Sequence, residues 1–287
     1  MDIQKRIADV IRDKKTQLPT LPVMVDNILS AARDERTSAQ HLADFIIKDQ
    51  AISNKILKLA NSAYYGLARE IDSISRAITV IGFNEIIGLT IGMNVVSTLS
   101  QDGAHKIFDM HDLWLHSIAC ATGARQLAKR LKINRAEQLF LNGLLHDTGK
   151  IVFGTYFAKE YRAAVEGAKD SQVALHVKEE ELLGINHGVL SGMLMENWRF
   201  PDSLLMPCRF HHKSLACPDD YREQAMVVEF ADFLCHKAQI GFSGSHAIQD
   251  PEEVGNELGL TAEDIEALVQ GLEEERPQVE EFLELIT

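Results

Sequence analysis

The sequence predicts an all-α protein, on three observations. Nearly every segment carries apolar residues at helical period. Capping residues, glycines and prolines break those segments into helices of ordinary length. No convincing β-alternation, internal repeat or low-complexity tract interrupts them. The 287 residues, 46% of them hydrophobic, suffice for one large domain or two modest ones with a real core.

The elements follow in chain order. "MDIQKRIADVIRDKKTQ" is amphipathic and charged, without the apolar centre of a signal peptide. Pro19 and Pro22 delay and then open a helix carrying Val25, Ile28 and Leu29. Thr37 and Gln40 have capping-box spacing before "HLADFIIKDQ". Asp49 can cap the next helix, whose Ile52, Ile56 and Leu59 form one stripe. "SAYYGLARE" is a break around Gly66. Asp72 or Ser73 can cap "ISRAITVIG", which Gly82 can close. From Asn84, "EIIGLTIGMNVVSTLS" is apolar nearly all round, as a central helix would be.

The pattern breaks at "QDGAHKIFD", residues 101–109, the expected lobe junction. Helical period resumes in "MHDLWLHSIACATGARQLAKRL", "NRAEQLFLNGLLHD", "KEYRAAVEGAKD", "SQVALHVKEEELLGI", "HGVLSGMLMENW" and "REQAMVVEFADFLCHKAQI". "TAEDIEALVQGLEEE" and "QVEEFLELI" complete the chain. The expected division is an N-terminal helical lobe over 1–102, a second helical lobe over 103–248, and acidic helices over 249–287.

Charge narrows the function. The net charge is −13, and residues 251–287 hold 12 acidic residues against Arg276 alone. No basic footprint for nucleic acid exists, and no uncharged apolar run is long enough to span a membrane. Cys120, Cys208, Cys217 and Cys235 lack paired spacing, so free thiols and a cytoplasmic location are expected.

Ten of the eleven histidines follow residue 100. In "LFLNGLLHDTGKIVF", His146 and Asp147 interrupt an apolar run. They lie about 100° apart on a helix, so both reach one ion only if the helix ends there, an ending assigned to Gly149. Imidazole and carboxylate suit divalent transition metals. Lys150 can pair with Asp147 or reach a substrate phosphate. His116 stands in an amphipathic helix, where taken alone it reads as a core or surface histidine. His187 begins a helix after Gly184, His211 and His212 precede a break, and Asp232 is a carboxylate among apolar neighbours that needs a partner. Trp114 and Trp198 read as packing anchors, Tyr64 and Tyr65 as packing, and Cys120 as core. His236, four residues after Asp232, can face the same way and is given no role.

"HDTGK" after an apolar helix resembles the HD superfamily of metal-dependent phosphohydrolases. The series His116, His146-Asp147, His187, His211-His212, Asp232 resembles the extended pattern of HD-GYP cyclic-dinucleotide phosphodiesterases. Where that family continues to Gly-Tyr-Pro, this chain reads "KSLACPDDYRE". "LPTLPVMVDNIL", "LADFIIKDQAISNKILKLANSAYYG", "ISRAITVIGFNEIIGLTIG" and "LLGINHGVLSGMLMENWRFPDSLLMPCRFHH" resemble the HDOD domain, the HD-related output domain of bacterial signalling proteins. The likeness covers about residues 15–235.

The resemblance implies an HD-superfamily-like helical domain packed with an N-terminal helical lobe. It implies a signal-transduction or regulatory role, with a signalling protein as partner and a homodimer as one assembly. The alternative is a metal-dependent phosphohydrolase acting on a phosphate-containing ligand. His116, His146, Asp147 and Asp232 would then hold one divalent ion (iron, manganese, zinc or nickel). His187, His211 and His212 would hold a second. Lys150 and Asp147 would serve catalysis, Glu181 would be a further ligand or base, and Arg209 is the one nearby arginine for a phosphate.

Overall fold

The computed structural model describes residues 3–12, 18, 20–33, 38–100 and 107–287, and every regular element among them is helical. The first half holds α1 (Ile3–Arg12), α2 (Val23–Arg33), α3 (Ala39–Ile46), α4 (Gln50–Ala60), α5 (Ile74–Ile81) and α6 (Phe83–Leu99). Ser38 caps α3 by accepting from the His41 N–H at 3.1 Å. Gln40 donates forward to Asp44 rather than back, so the expected capping box is replaced; Thr37 lies outside the described residues. Asp49 caps α4 through the Ile52 N–H at 3.0 Å. Gly82, at φ 116°, ends α5 and turns the chain into α6. Of α6, the continuous stretch from Glu85 to Val96 is buried. No single described helix is long and apolar enough to cross a membrane, although bent α5 and α6 together are.

The second half holds α7 (Met110–Leu131), α8 (Ala136–Leu145), α9 (Thr148–Tyr156), α10 (Ala158–Ser171), α11 (Leu175–Leu183), α12 (His187–Asn197), α13 (Asp202–Phe210), a 3-10 turn at Ser214–Ala216, and α14 (Asp219–Ala238). α7 is the axis, with α8, α14 and two helices nearer the C-terminus packed around it. Trp114 ties α7 to the end of α6 by donating to the Ser100 hydroxyl at 3.0 Å. Trp198 is buried next to Phe200. α1 rests against the second half, packing on α12 and setting Arg6 over the Phe157 ring.

Three helices escaped the sequence reading, each for a physical reason. α9 contains two glycines and weak formers. Tertiary burial of Ile151, Val152 and Phe153 overrides that low propensity. α13 contains Pro207, which lacks the N–H that would bond the Ser203 carbonyl. Gln138 of α8 supplies the missing donor to that oxygen at 2.7 Å. α15 (Glu252–Glu257) is too short for a periodic signal.

α16 (Ala262–Glu274) and α17 (Arg276–Ile286) turn one face inward despite their acidity. Leu268, Leu272, Val279, Phe282, Leu283 and Ile286 are buried. Phe282 lies edge-on to Tyr64, whose ring also carries the Arg125 guanidinium 4.7 Å above it. Lys55 of α4 donates to the Ile286 carbonyl at 2.7 Å, and Glu281 accepts the Ala63 N–H at 3.1 Å. The acidic helices thus bridge α4 and α7.

Candidate metal centre

Four helix ends and two helix faces bring the site together. α8 ends at Leu145, and His146 and Asp147 form the joint from which α9 starts at once. Gly149 is therefore not the helix end the sequence suggested. It sits in the first turn of α9, pressed against the start of α12. A Cβ there would stand 2.1 Å from the His187 carbonyl oxygen and 2.9 Å from the Ser191 nitrogen. Only glycine permits that approach. Ser191 fastens it, accepting the Gly149 N–H at 2.8 Å and donating to the His146 carbonyl at 2.7 Å. A similar constraint joins α8 to α7. A Cβ on Gly143 would stand 2.6 Å from the Ala121 Cα, so the two helices lie close enough for His146 to reach His116.

All seven sequence candidates converge. His116 Nε2 lies 2.8 Å from Asp232 Oδ1 and 3.9 Å from Asp147 Oδ2. His146 Nε2 lies 3.4 Å from Asp147 Oδ2 and 3.7 Å from Asp232 Oδ1. On the other side of the same carboxylate, Asp147 Oδ1 faces His187 Nε2 at 3.1 Å and His211 Nε2 at 3.9 Å. His212 Nε2 is 2.8 Å from His187 Nε2. Two groups result around Asp147. His116, His146 and Asp147 form one, and His187, His211 and His212 the other, with ligand atoms within 4.8 Å of one another in each.

Tautomers follow from the partners. His146 Nδ1 is 2.6 Å from the Gly143 carbonyl, and His211 Nδ1 is 2.7 Å from the Cys208 carbonyl. A carbonyl only accepts, so each Nδ1 carries the proton and each Nε2 presents a lone pair. Those two Nε2 atoms and Asp147 Oδ1 are buried without a hydrogen-bond partner. Buried polar atoms are normally satisfied. A set of inward lone pairs with oriented imidazoles fits a cation held by nitrogen and oxygen ligands.

Electrostatics agree. Burial opposes charge on Asp147, but His146, Lys150 and His187 outweigh it and hold its carboxyl well below the usual range. Burial, with neighbouring imidazoles, pushes His211 and His212 well below the ordinary histidine value, leaving them neutral. Lys150 donates to Asp147 Oδ2 at 2.7 Å. Burial also raises the Cys120 thiol, in keeping with a core residue.

The sequence reading gave His236 no role and missed Glu179. His236 lies 3.5 Å from Asp232 Oδ1 and joins His116 and Asp232 in a third possible ligand group. The i,i+4 spacing on α14 was its signal. Glu181 does not reach the centre: it is exposed and pairs with Lys178. The helix phase instead turns Glu179 inward, where it is fully buried against His187. Arg209 packs over Gly192 and borders a separate shallow pocket with Glu180 and Lys213. Beside the centre lies a cavity of about 60 Å³, lined by Lys150, His176, His212, Asp232 and His236 and walled by Ser245, Ala247, Ile248, Gln249 and Pro251.

Known proteins share this frame. The chain aligns end to end with an HDOD domain protein from Geobacter sulfurreducens, at a TM-score of 0.79, 23% identity, and coverage of 100% of this chain and 99% of that one. A Shewanella amazonensis protein described as a "putative phosphohydrolase" matches at 0.77 and 21% identity, covering 98% of each chain. At these identities the likeness is one of fold. A Treponema pallidum protein is 24% identical over 229 residues, which are 79% of this chain but 44% of that protein, so the chain spans less than half of its length. The HDOD domain family matches residues 18–214, over two thirds of the sequence and across most of the ligand series. The chain therefore belongs to the HDOD domain family.

Proposed function

We propose that this chain is a regulatory protein of bacterial signalling whose HD-like centre binds divalent transition metal. His116, His146, Asp147 and Asp232 would hold one ion, and His187, His211 and His212 a second. The observation that carries the reading is the acceptor-only interior: two imidazole nitrogens and a carboxylate oxygen buried with no donor between them. Iron, manganese, zinc and nickel all suit this nitrogen-rich set. A signalling protein is the proposed partner, and a cytoplasmic homodimer the proposed form. The proposed units are lobes 1–102 and 103–248 with acidic helices 249–287.

A second reading, metal-dependent phosphohydrolase, draws on the filled ligand series and on the Shewanella relative's description. Bound divalent ions would supply an acidified water and charge stabilisation at phosphorus. Lys150 would then neutralise phosphate charge, and Asp147 would serve catalysis by holding metal. Two features favour regulation. Lys150 is already committed to Asp147. The neighbouring surface pocket, of about 600 Å³, is bordered by Glu229, Asp250, Glu252 and Glu253, with Lys213 as its cation. Lys213 is itself paired with Glu180. Such a rim attracts cations and repels phosphate.

Elemental analysis of purified protein, after growth with added iron and manganese, tests the metal. His146→Ala combined with Asp147→Ala should abolish binding and leave the helical circular dichroism intact. Retention of metal in that variant refutes the assignment. Metal-loaded protein is then assayed on cyclic dinucleotides, nucleotides and model phosphodiesters. Full metal without turnover supports regulation; metal-dependent turnover lost in the double variant replaces it with hydrolysis.

A further inference from the structure

Glu179 is a fully buried carboxylate that contributes no atom to the ligand groups. Its Oε2 accepts from both the backbone N–H and Nδ1 of His187, at 2.7 and 2.6 Å. Its Oε1 accepts the Tyr161 hydroxyl at 2.8 Å. Tyr161 is itself buried against Phe153 and Phe108. The carboxylate is thus held by α10 below and by the start of α12 above. His146 and His211, by contrast, give their Nδ1 protons to neutral backbone carbonyls.

We propose that Glu179, braced by Tyr161, is a positioning residue for His187, and that it selectively strengthens metal binding in the His187–His211–His212 half. Because Nδ1 of His187 is bound to a carboxylate, its proton stays there. Nε2 is left as the lone-pair nitrogen, 3.1 Å from Asp147 Oδ1 and 2.8 Å from His212 Nε2, which donates to it when no ion is bound. A charged acceptor also makes the imidazole a stronger base than a carbonyl does. The double grip on ring and backbone fixes the ring plane, which a single contact would not. The partner of this machinery is the metal ion alone, so the inference rests on the metal reading.

The test uses the full chain, stripped of metal and titrated with Co2+, followed by its visible absorption and by chelator competition. His187→Ala identifies the binding step belonging to that half. Glu179→Gln preserves shape: its carbonyl can keep both His187 contacts while its amide meets the Tyr161 oxygen. It should weaken that same step roughly tenfold, and Glu179→Ala by up to about a hundredfold. Steps that survive His187→Ala should keep their wild-type affinity and spectrum. Unchanged affinity at the His187 step in both Glu179 variants overturns the proposal. So does an equal loss at every step alongside lowered metal-free melting, which marks a purely structural role. Wild-type protein that binds no Co2+ instead overturns the metal reading itself.

Discussion

Gly149→Ala should destabilise the fold and loosen the centre, although alanine is the better helix former. In an open helix the exchange would gain about 1 kcal/mol. Here the new Cβ would lie 2.1 Å from the His187 carbonyl oxygen and 2.9 Å from the Ser191 nitrogen, both backbone atoms. Such atoms cannot rotate away, so α9 and α12 must separate by roughly 1 Å, an overpacking penalty of about 1–3 kcal/mol. The Gly149–Ser191–His146 hydrogen bonds lengthen with it, at about 1 kcal/mol apiece if lost. The net expectation is about 2 kcal/mol of destabilisation, a fall of several degrees in melting temperature. The same shift moves His187 away from Asp147, so metal affinity should drop as well. Thermal melting with and without metal, alongside a metal titration, checks both effects. An alanine variant as stable as the parent, with unchanged affinity, refutes the close-approach argument.

Other outcomes follow from the same coordinates. Gln138→Ala should cost about 1 kcal/mol, because the Ser203 carbonyl loses the donor that stands in for Pro207. In a Pro207→Ala background the restored N–H serves that oxygen, so a urea double-mutant cycle should show positive coupling; strict additivity refutes the compensation. Phe282→Ala removes a buried ring packed on Tyr64 and Phe140 and should cost about 3–5 kcal/mol. A loss under 1 kcal/mol in chemical denaturation would show that α17 does not brace the lobes. Protons compete with metal for the candidate imidazoles and carboxylates, so metal affinity should fall on acidification. Calorimetry in two buffers of different ionisation enthalpy should register proton release, and a flat affinity between about pH 6 and 8 contradicts this.

Most of the helices were legible in the sequence because they depend on local order, and the candidate site residues because their types are conspicuous. Period 3.6 marks amphipathic helices such as α4 and α7, and His146-Asp147 is conspicuous inside an apolar run. The seven ligand candidates, spread over residues 116–232, were recognised as one set by their order and chemistry. What escaped depends on neighbours distant in sequence. α9 is helical because its apolar residues are buried, and α13 persists past Pro207 because Gln138 repairs the broken ladder. Glycine at 149 looks like a helix stop in one dimension, but in three it is the contact between α9 and α12. Among three consecutive glutamates, only the turn of α11 against α10 and α12 selects Glu179 for burial and leaves Glu181 in solvent. The sequence by itself determined most of the helices and the donor types. The tertiary structure decided which lone pairs face one another, since that depends on helix phase and backbone approach, which no local pattern encodes.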